Sequence, residues 1–407
     1  MVPDIKAAYR GELPSQMEPL LLGDSYRHRG RILDLAFELA QKSATLKGSL
    51  PPSLLKSLAD LVRSMNCYYS NFIEGHATHP IDIERALQGD YSQDSHKREL
   101  QLEAKAHITV QKWIDEGGLD TLAPTSVDAL TQIHRRFGEL LPPDLLWVED
   151  PKTHERLPVI PGQLRTNDVQ VGRHVAISPG ALPQFLERFA LVYGRLGKSE
   201  SILAIAAAHH RLVWIHPFLD GNGRVARLMS HAQLLHSLDT GSVWSVARGL
   251  ARKVETYKYL LANCDQPRRN DLDGRGTLSE EALGEFTEFF LNVCLDQVKF
   301  MESIMQPDRL RTRIVLWAEE ETRLGELPAK SGSLLEALLY RGELPRGDAD
   351  AVLGTGERQA RRVVAALLAK GVISSESSRA PLRLTFAAKF ASRWLPGLFP
   401  DQIAPER

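Results

Sequence analysis

The chain has 407 residues, 43% hydrophobic and 25% charged, with a formal net charge of −1 at pH 7. That composition suits a folded protein of two or three domains and gives no global attraction to nucleic acid or to an anionic membrane. Cys67, Cys264 and Cys294 are too few and too scattered for a disulfide framework or a zinc site. No run approaches the ~20 apolar residues of a membrane span, and the N-terminus lacks the apolar core of a secretory signal, so a cytoplasmic protein without a membrane partner is expected.

Residues 1–25 hold three prolines and read as an extended arm. Helical periodicity covers 26–45, 51–74, 95–116 and 125–140. In the second of these, Leu54, Leu58, Leu61, Val62, Met65 and Phe72 form the apolar stripe and Gly75 provides the stop. Glu74 then sits at the negative end of the helix dipole, where a carboxylate is disfavoured by roughly 0.3–1 kcal/mol. That position invites a cationic partner, although a solvated glutamate is the ordinary occupant of a helix end. In residues 161–179, Val169 and Val171 alternate with polar residues between glycines, the pattern of a short hairpin or of a simple connection. Further helices are expected near 183–197, 201–215, 224–238, 248–263 and 278–304. The loop 265–277 is polar, and its Asp-x-Asp-Gly lacks the remaining ligands of a calcium loop.

Residues 216–227 read His-Pro-Phe-Leu-Asp-Gly-Asn-Gly-Arg-Val-Ala-Arg. Pro217 disfavours the α conformation at His216, which ends the apolar helix 201–215 and leaves an imidazole at its tip. Gly221 and Gly223 flank Asn222, as in a turn with positive φ angles. Apolar spacing resumes from Arg224, so backbone N–H groups open a new helix and can seat phosphate oxygens. Arg224 and Arg227 are three apart and can grip further phosphates, and Asp220 is placed for Mg²⁺. A lone Gly-Asn-Gly would read as a turn; nine coincident positions point to a polyphosphate site beside a general base.

This run resembles the signature of the Fic family, HPFx[D/E]GNGRxxR, at every specified position. The resemblance extends over residues 26–304 and implies a mainly α fold: a Fic-type helical body carrying a β-hairpin flap at 161–179. It implies that ATP is the substrate and that His216 takes the proton from a hydroxyl of a target protein, or of the chain itself. AMP is transferred, Asp220 holds Mg²⁺, and the 221–223 backbone, Asn222, Arg224 and Arg227 meet the phosphates. Ser70 and Glu74 fit the family's inhibitory pattern [S/T]xxxE[G/N], which implies that Glu74 pairs with Arg227 and obstructs the γ-phosphate. Gly162, Arg165, Val169, Val171 and Gly172 resemble the family's flap, with Val171, Gly172, Arg173 and His174 as its nucleotide-facing part. Tyr257 and Asn263 fall where family members line the adenine pocket; Tyr257 reads equally as core.

Beyond a connecting helix or linker at 305–325, helices near 332–341, 348–353 and 356–370 precede strand-like stretches at 371–376 and 381–386. That order resembles a small winged-helix α+β domain at 326–390, followed by a tail at 391–407. Residues 329–390 hold ten lysines and arginines against six aspartates and glutamates, net +4, leaving −5 for the rest. Arg358, Arg361 and Arg362 fall off the core face of the third helix, so DNA and a protein are both candidate partners of this module. A second copy of the chain is a further partner reading. The alternatives to AMP transfer are AMP removal, with Glu74 positioning water, and a nucleotide-sensing DNA-binding regulator, against which the intact His216 argues.

Overall fold

Side-chain caps and first-turn prolines set where many of the helices begin. Asp94 accepts from Lys97 N at 2.9 Å, Ser126 from Ala129 N at 3.2 Å and Ser279 from Ala282 N at 3.1 Å, while Pro52, Pro80 and Pro307 open three others without losing a needed donor. The computed structural model describes residues 8–399 apart from Ala77, Pro151, Lys152 and Asp239. In chain order the body comprises α1 (Arg29–Gly48), α2 (Pro52–Ile73), α3 (Pro80–Leu87), α4 (Ser95–Asp115) and α5 (Val127–Glu139). Two hairpins follow, β1 (Trp147–Glu149) with β2 (Arg156–Pro158), then β3 (Gln170–Val171) with β4 (His174–Val175), both antiparallel. Next come α6 (Leu182–Tyr193), α7 (Lys198–Ile215), α8 (Asn222–Leu238), α9 (Val246–Arg252), α10 (Val254–Asn263) and α11 (Glu280–Met305).

The apolar run of α7 is buried from Ile202 to Leu212, and α8 packs along it. With α7 wrapped by α1, α6, α8 and α11, the loop between α7 and α8 is carried on the most deeply buried part of the body. Expected and observed helices agree closely except in three places. The segment 80–87 forms α3, which at eight residues is too short to show a helical period. The stretch 248–263 is two helices, α9 and α10, broken at Lys253 (φ −121°, ψ 39°). The hairpin β1–β2 is not among the expected elements, because its strands are only three residues each.

The chain continues through α12 (Pro307–Arg323), α13 (Ser331–Arg341), β5 (Glu343–Leu344), α14 (Ala349–Leu353), α15 (Glu357–Lys370), β6 (Ile373–Ser374), β7 (Leu382–Leu384) and α16 (Ala388–Trp394). The three strands form one sheet in the order β5-β7-β6. Of the connecting helix or linker expected at 305–325, the helix is what forms: α12 buries Leu310, Ile314 and Trp317 and packs on α11, α13 and α16. The stretch from 391 is not a free tail, because α16 runs through Trp394, which is fully buried with Trp317 and Phe390, and Leu398 is buried beyond it. Its end returns to the body, where Leu398 O accepts from Tyr69 OH at 3.1 Å and Gly397 O from Arg248 Nη2 at 2.8 Å.

The N-terminal arm is likewise fastened over its described part. Met17 and Leu20 enter the core, and Arg10 donates to Ala176 O at 3.0 Å. The expectations for residues 1–7 and 400–407 lie outside the described residues. Among the described residues no helix is long and apolar enough to cross a membrane.

Candidate active site

α7 ends at His216, which takes the left-handed conformation (φ 52°, ψ 62°) before Pro217. Its Nδ1 lies 3.2 Å from Val213 O. A carbonyl only accepts, so Nδ1 carries the proton and the Nε2 lone pair is left available. Burial pushes this imidazole down to about 4, so it is neutral at physiological pH. The left-handed turn therefore yields a side chain ready to accept a proton at the mouth of a cleft.

Two side chains fix the loop that follows. Asn222 Oδ1 accepts from Phe218 N at 2.9 Å and its Nδ2 donates to Phe218 O at 2.8 Å. Each end of this buried amide takes one bond within the loop, so the Asn222 side chain holds the turn in shape. Gly221 takes the positive φ of the turn (+79°), whereas Gly223 does not. Glycine at 223 is a matter of room, since a Cβ there would stand 2.5 Å from Glu74 Oε1 and 3.2 Å from Arg227 Nη1. Because α8 begins at Asn222, two residues earlier than expected, its first-turn N–H groups open on the cleft.

Arg224 Nη2 donates to Asp220 Oδ2 at 2.7 Å, and its Nη1 reaches Glu103 Oε1 at 3.3 Å. Asp220 is half-exposed, and its other oxygen has no protein partner among the described residues. A single hard carboxylate suits Mg²⁺ that takes its other ligands from phosphates and water. Among the described residues no group of three or more His, Cys, Asp or Glu could hold a metal by itself.

Arg227 is buried behind the loop. Its Nε donates to Ser70 Oγ at 2.8 Å, and its Nη2 pairs with Glu74. Glu74 caps α2, and about a third of its side chain (35%) remains exposed. Burial works against its charge, but Arg227 more than offsets this and holds the carboxyl below its ordinary range.

A cleft of about 630 Å³ gathers Glu74, Val171, His216 and the loop 220–224 between the hairpins β1–β2 and β3–β4. The remaining sequence candidates stand apart from it. Gly172 makes the β3–β4 turn (φ +58°) with Arg173 exposed beside it. His174 turns inward, its Nε2 donating to Trp214 O at 2.7 Å and its Nδ1 lying 3.7 Å from Asp265. Tyr257 is core: its hydroxyl is 2.8 Å from His209 Nε2, and burial pushes it up to about 12. Asn263 ends α10 outside the cleft. For His174, Tyr257 and Asn263 the expected nucleotide-facing placement is therefore corrected.

Sequence reasoning missed Glu103, which bridges Arg224 and His76 (2.9 Å), because a glutamate in the charged helix α4 carries no signal until α4 packs on α8. It also missed Val148 and Leu157 of β1–β2, which line the cleft opposite the second hairpin. Arg165, placed at the flap, proves structural: buried, it donates to His216 O at 2.7 Å and to Ile177 O at 2.6 Å, tying the hairpin root to the motif.

The fold is the helical fold of Fic proteins. A Fic family protein from Desulfovibrio desulfuricans G20 superposes with a TM-score of 0.51 at 17% identity, covering 90% of this chain and 98% of that one. Residues 124–234 match the Fic/DOC family model, so the chain carries a Fic/DOC domain that runs from α5 into α8. The protein adenylyltransferase Fic of Drosophila erecta is 40% identical over 86 residues, 20% of this chain and 17% of that protein. Its namesake in Drosophila virilis is 30% identical over 172 residues, 42% of this chain and 32% of that protein. The matched stretches thus span less than a third of each of these curated relatives, and Glu74 lies outside the family match.

Proposed function

We propose that the chain is a protein adenylyltransferase that moves AMP from ATP to a Ser, Thr or Tyr hydroxyl and is restrained by Glu74. The observation that carries this reading is the free Nε2 of His216 at the cleft, directly before a loop whose N–H groups begin a helix. The hydroxyl proton passes to Nε2 as the oxygen forms a bond to the α-phosphorus. The bond from that phosphorus to the bridging oxygen breaks, and pyrophosphate leaves. The first-turn N–H groups of α8 and Arg224 meet the negative charge that builds on the phosphates. Mg²⁺ held by Asp220 would neutralise charge on the departing pyrophosphate.

Restraint follows from the pairing of Glu74 with Arg227. The carboxylate stands over Gly223, where an outer phosphate would sit, and occupies the arginine that would receive it. The same carboxylate shares the cleft with His216, so the reverse task, positioning water to remove AMP from a modified protein, is the second reading. We assign residues 326–390 to a winged-helix-like partner-binding module, on the order of its helices and its β5-β7-β6 sheet.

The deciding experiment incubates the full chain and a Glu74→Gly variant with α-labelled ATP and Mg²⁺, alone and over a lysate. Labelled protein that increases in the variant is the expected result. Transfer by neither form overturns the reading, and loss of AMP removal from a premodified target in the variant would favour the hydrolytic one.

A further inference from the structure

α5 places behind the motif loop, against Phe218, an imidazole for which the transfer chemistry has no task. His134 is buried, and its ring lies flat on Phe218, with centroids 4.0 Å apart and planes 1° from parallel. Its Nδ1 accepts from the backbone N–H of Gly162 at 2.8 Å, which leaves the ring proton on Nε2. The Cδ2 edge of the ring lies 3.7 Å from where a Cβ on Gly221 would be, next to Asp220 in the same loop. Three segments therefore meet on one side chain: α5, the root of the β3–β4 hairpin, and the loop that carries the carboxylate.

The neighbouring contacts bring the same segments together. A Cβ on Gly138 of α5 would stand 2.8 Å from the ring of Pro161, and one on Gly162 would stand 2.8 Å from Arg135. The hairpin root thus seats directly on α5. Burial alone would be met by a phenylalanine at 134, which would stack on Phe218 equally well. A phenylalanine would not supply the acceptor that holds the backbone N–H of Gly162.

We propose that His134 is a positioning residue for AMP transfer, fixing the Asp220 loop and the hairpin root relative to each other across α5. The inference rests on the transfer reading for its kinetic part only. When the two walls are uncoupled, the acceptor held at the hairpin and the phosphates held at the loop lose their common frame, and misplacement by about 1 Å costs on the order of 10²-fold in rate.

The test compares His134→Phe and His134→Gln in a Glu74→Gly background. The first keeps the flat ring and loses the acceptor for the Gly162 N–H; the second restores an acceptor oxygen at that position. His134→Phe is expected to lower kcat for self-labelling about tenfold or more with a much smaller change in KM for ATP, and His134→Gln to recover part of the loss. Independently of activity, trypsin cleavage after Arg173, exposed at the hairpin turn, is expected to quicken in His134→Phe. Phenylalanine within twofold of the parent, or glutamine as impaired as phenylalanine, overturns the proposal. If the Glu74→Gly parent transfers nothing, the transfer reading has failed. The trypsin rate then decides alone, with faster cleavage supporting the coupling and an unchanged rate overturning it.

Discussion

Ser70 Oγ accepts a 2.8 Å hydrogen bond from Nε of Arg227, a residue 157 positions later in the chain. The guanidinium is thereby oriented before Glu74 engages it, and the two residues of α2 hold one arginine at two of its nitrogens. Removing the carboxylate leaves the hydroxyl hydrogen bond in place, so the arginine stays aligned along the cleft wall. This is why Glu74→Gly should release the site without dismantling it.

Replacing His216 by alanine should abolish transfer while ATP binding survives. On the proposed mechanism the phosphate contacts come from the loop and Arg224, and the imidazole acts only on the incoming hydroxyl. Loss of a general base typically costs ~10²–10⁴-fold in rate. Labelling measured beside fluorescent-nucleotide binding checks this, and near-normal labelling would remove His216 from the mechanism.

Asn222→Ala should act first on the loop and only through it on ATP. The substitution strands both backbone groups of Phe218, and a buried polar group left unpaired costs about 1–3 kcal/mol. A lower denaturation midpoint together with weaker nucleotide binding is expected. An unchanged midpoint with abolished binding would mean that the amide contacts the nucleotide directly.

Acid should weaken the fold before it titrates the carboxylates. Burial pushes His107 and His209 down to about 3 and His210 to about 4. Above the ordinary histidine value, both the folded and unfolded states leave these rings neutral and no stability is forfeited. As pH falls below ~6.5, the unfolded chain takes up protons that the native one refuses, at about 1.4 kcal/mol per pH unit for each ring. Glu74, Glu103 and Asp115 sit below their ordinary range, so their contribution fades only at lower pH. Urea titrations at pH 7.5 and 5 should show a clear loss at pH 5. His107→Leu should narrow the gap, because neither nitrogen of that ring is hydrogen-bonded among the described residues.

Arg358, Arg361 and Arg362 all lie on the exposed face of α15. If this face takes DNA, replacing the three by alanine should weaken binding and flatten its salt dependence, by about 0.9 in the log–log slope for each phosphate no longer neutralised. Anisotropy titrations of duplex DNA across salt concentrations measure both. Absence of binding even at low salt would leave a protein as the partner of the module.

The site was legible where chemistry is written in consecutive residues. His216, Asp220 and Arg224 could be placed because Pro217 and the two glycines dictate the backbone between two apolar helices. Glu74 was legible because a carboxylate at a helix end asks for a cation. What stayed hidden depends on packing between distant elements. His134 is one polar residue on the apolar face of α5, beside Ile133 and Phe137. That spacing marks a buried histidine but cannot name Gly162 and Phe218 as its partners. Tyr257 was ambiguous for the same reason, since only the approach of α7 supplies His209 to its hydroxyl. The β1–β2 hairpin and α16 are short, and their burial comes from surfaces far away in sequence.

The bond between Tyr69 and the carbonyl of Leu398 places the end of the C-terminal module against α2, one residue before Ser70 and five before Glu74. The same helix is thus held at its C-terminal end by Arg227 and along its flank by a stretch of chain that has already passed through residues 326–390. On the proposed reading, a shift of residues 395–399 would reach the footing of Glu74 with no hinge between them, and a truncation that removes those residues should change the restraint on transfer.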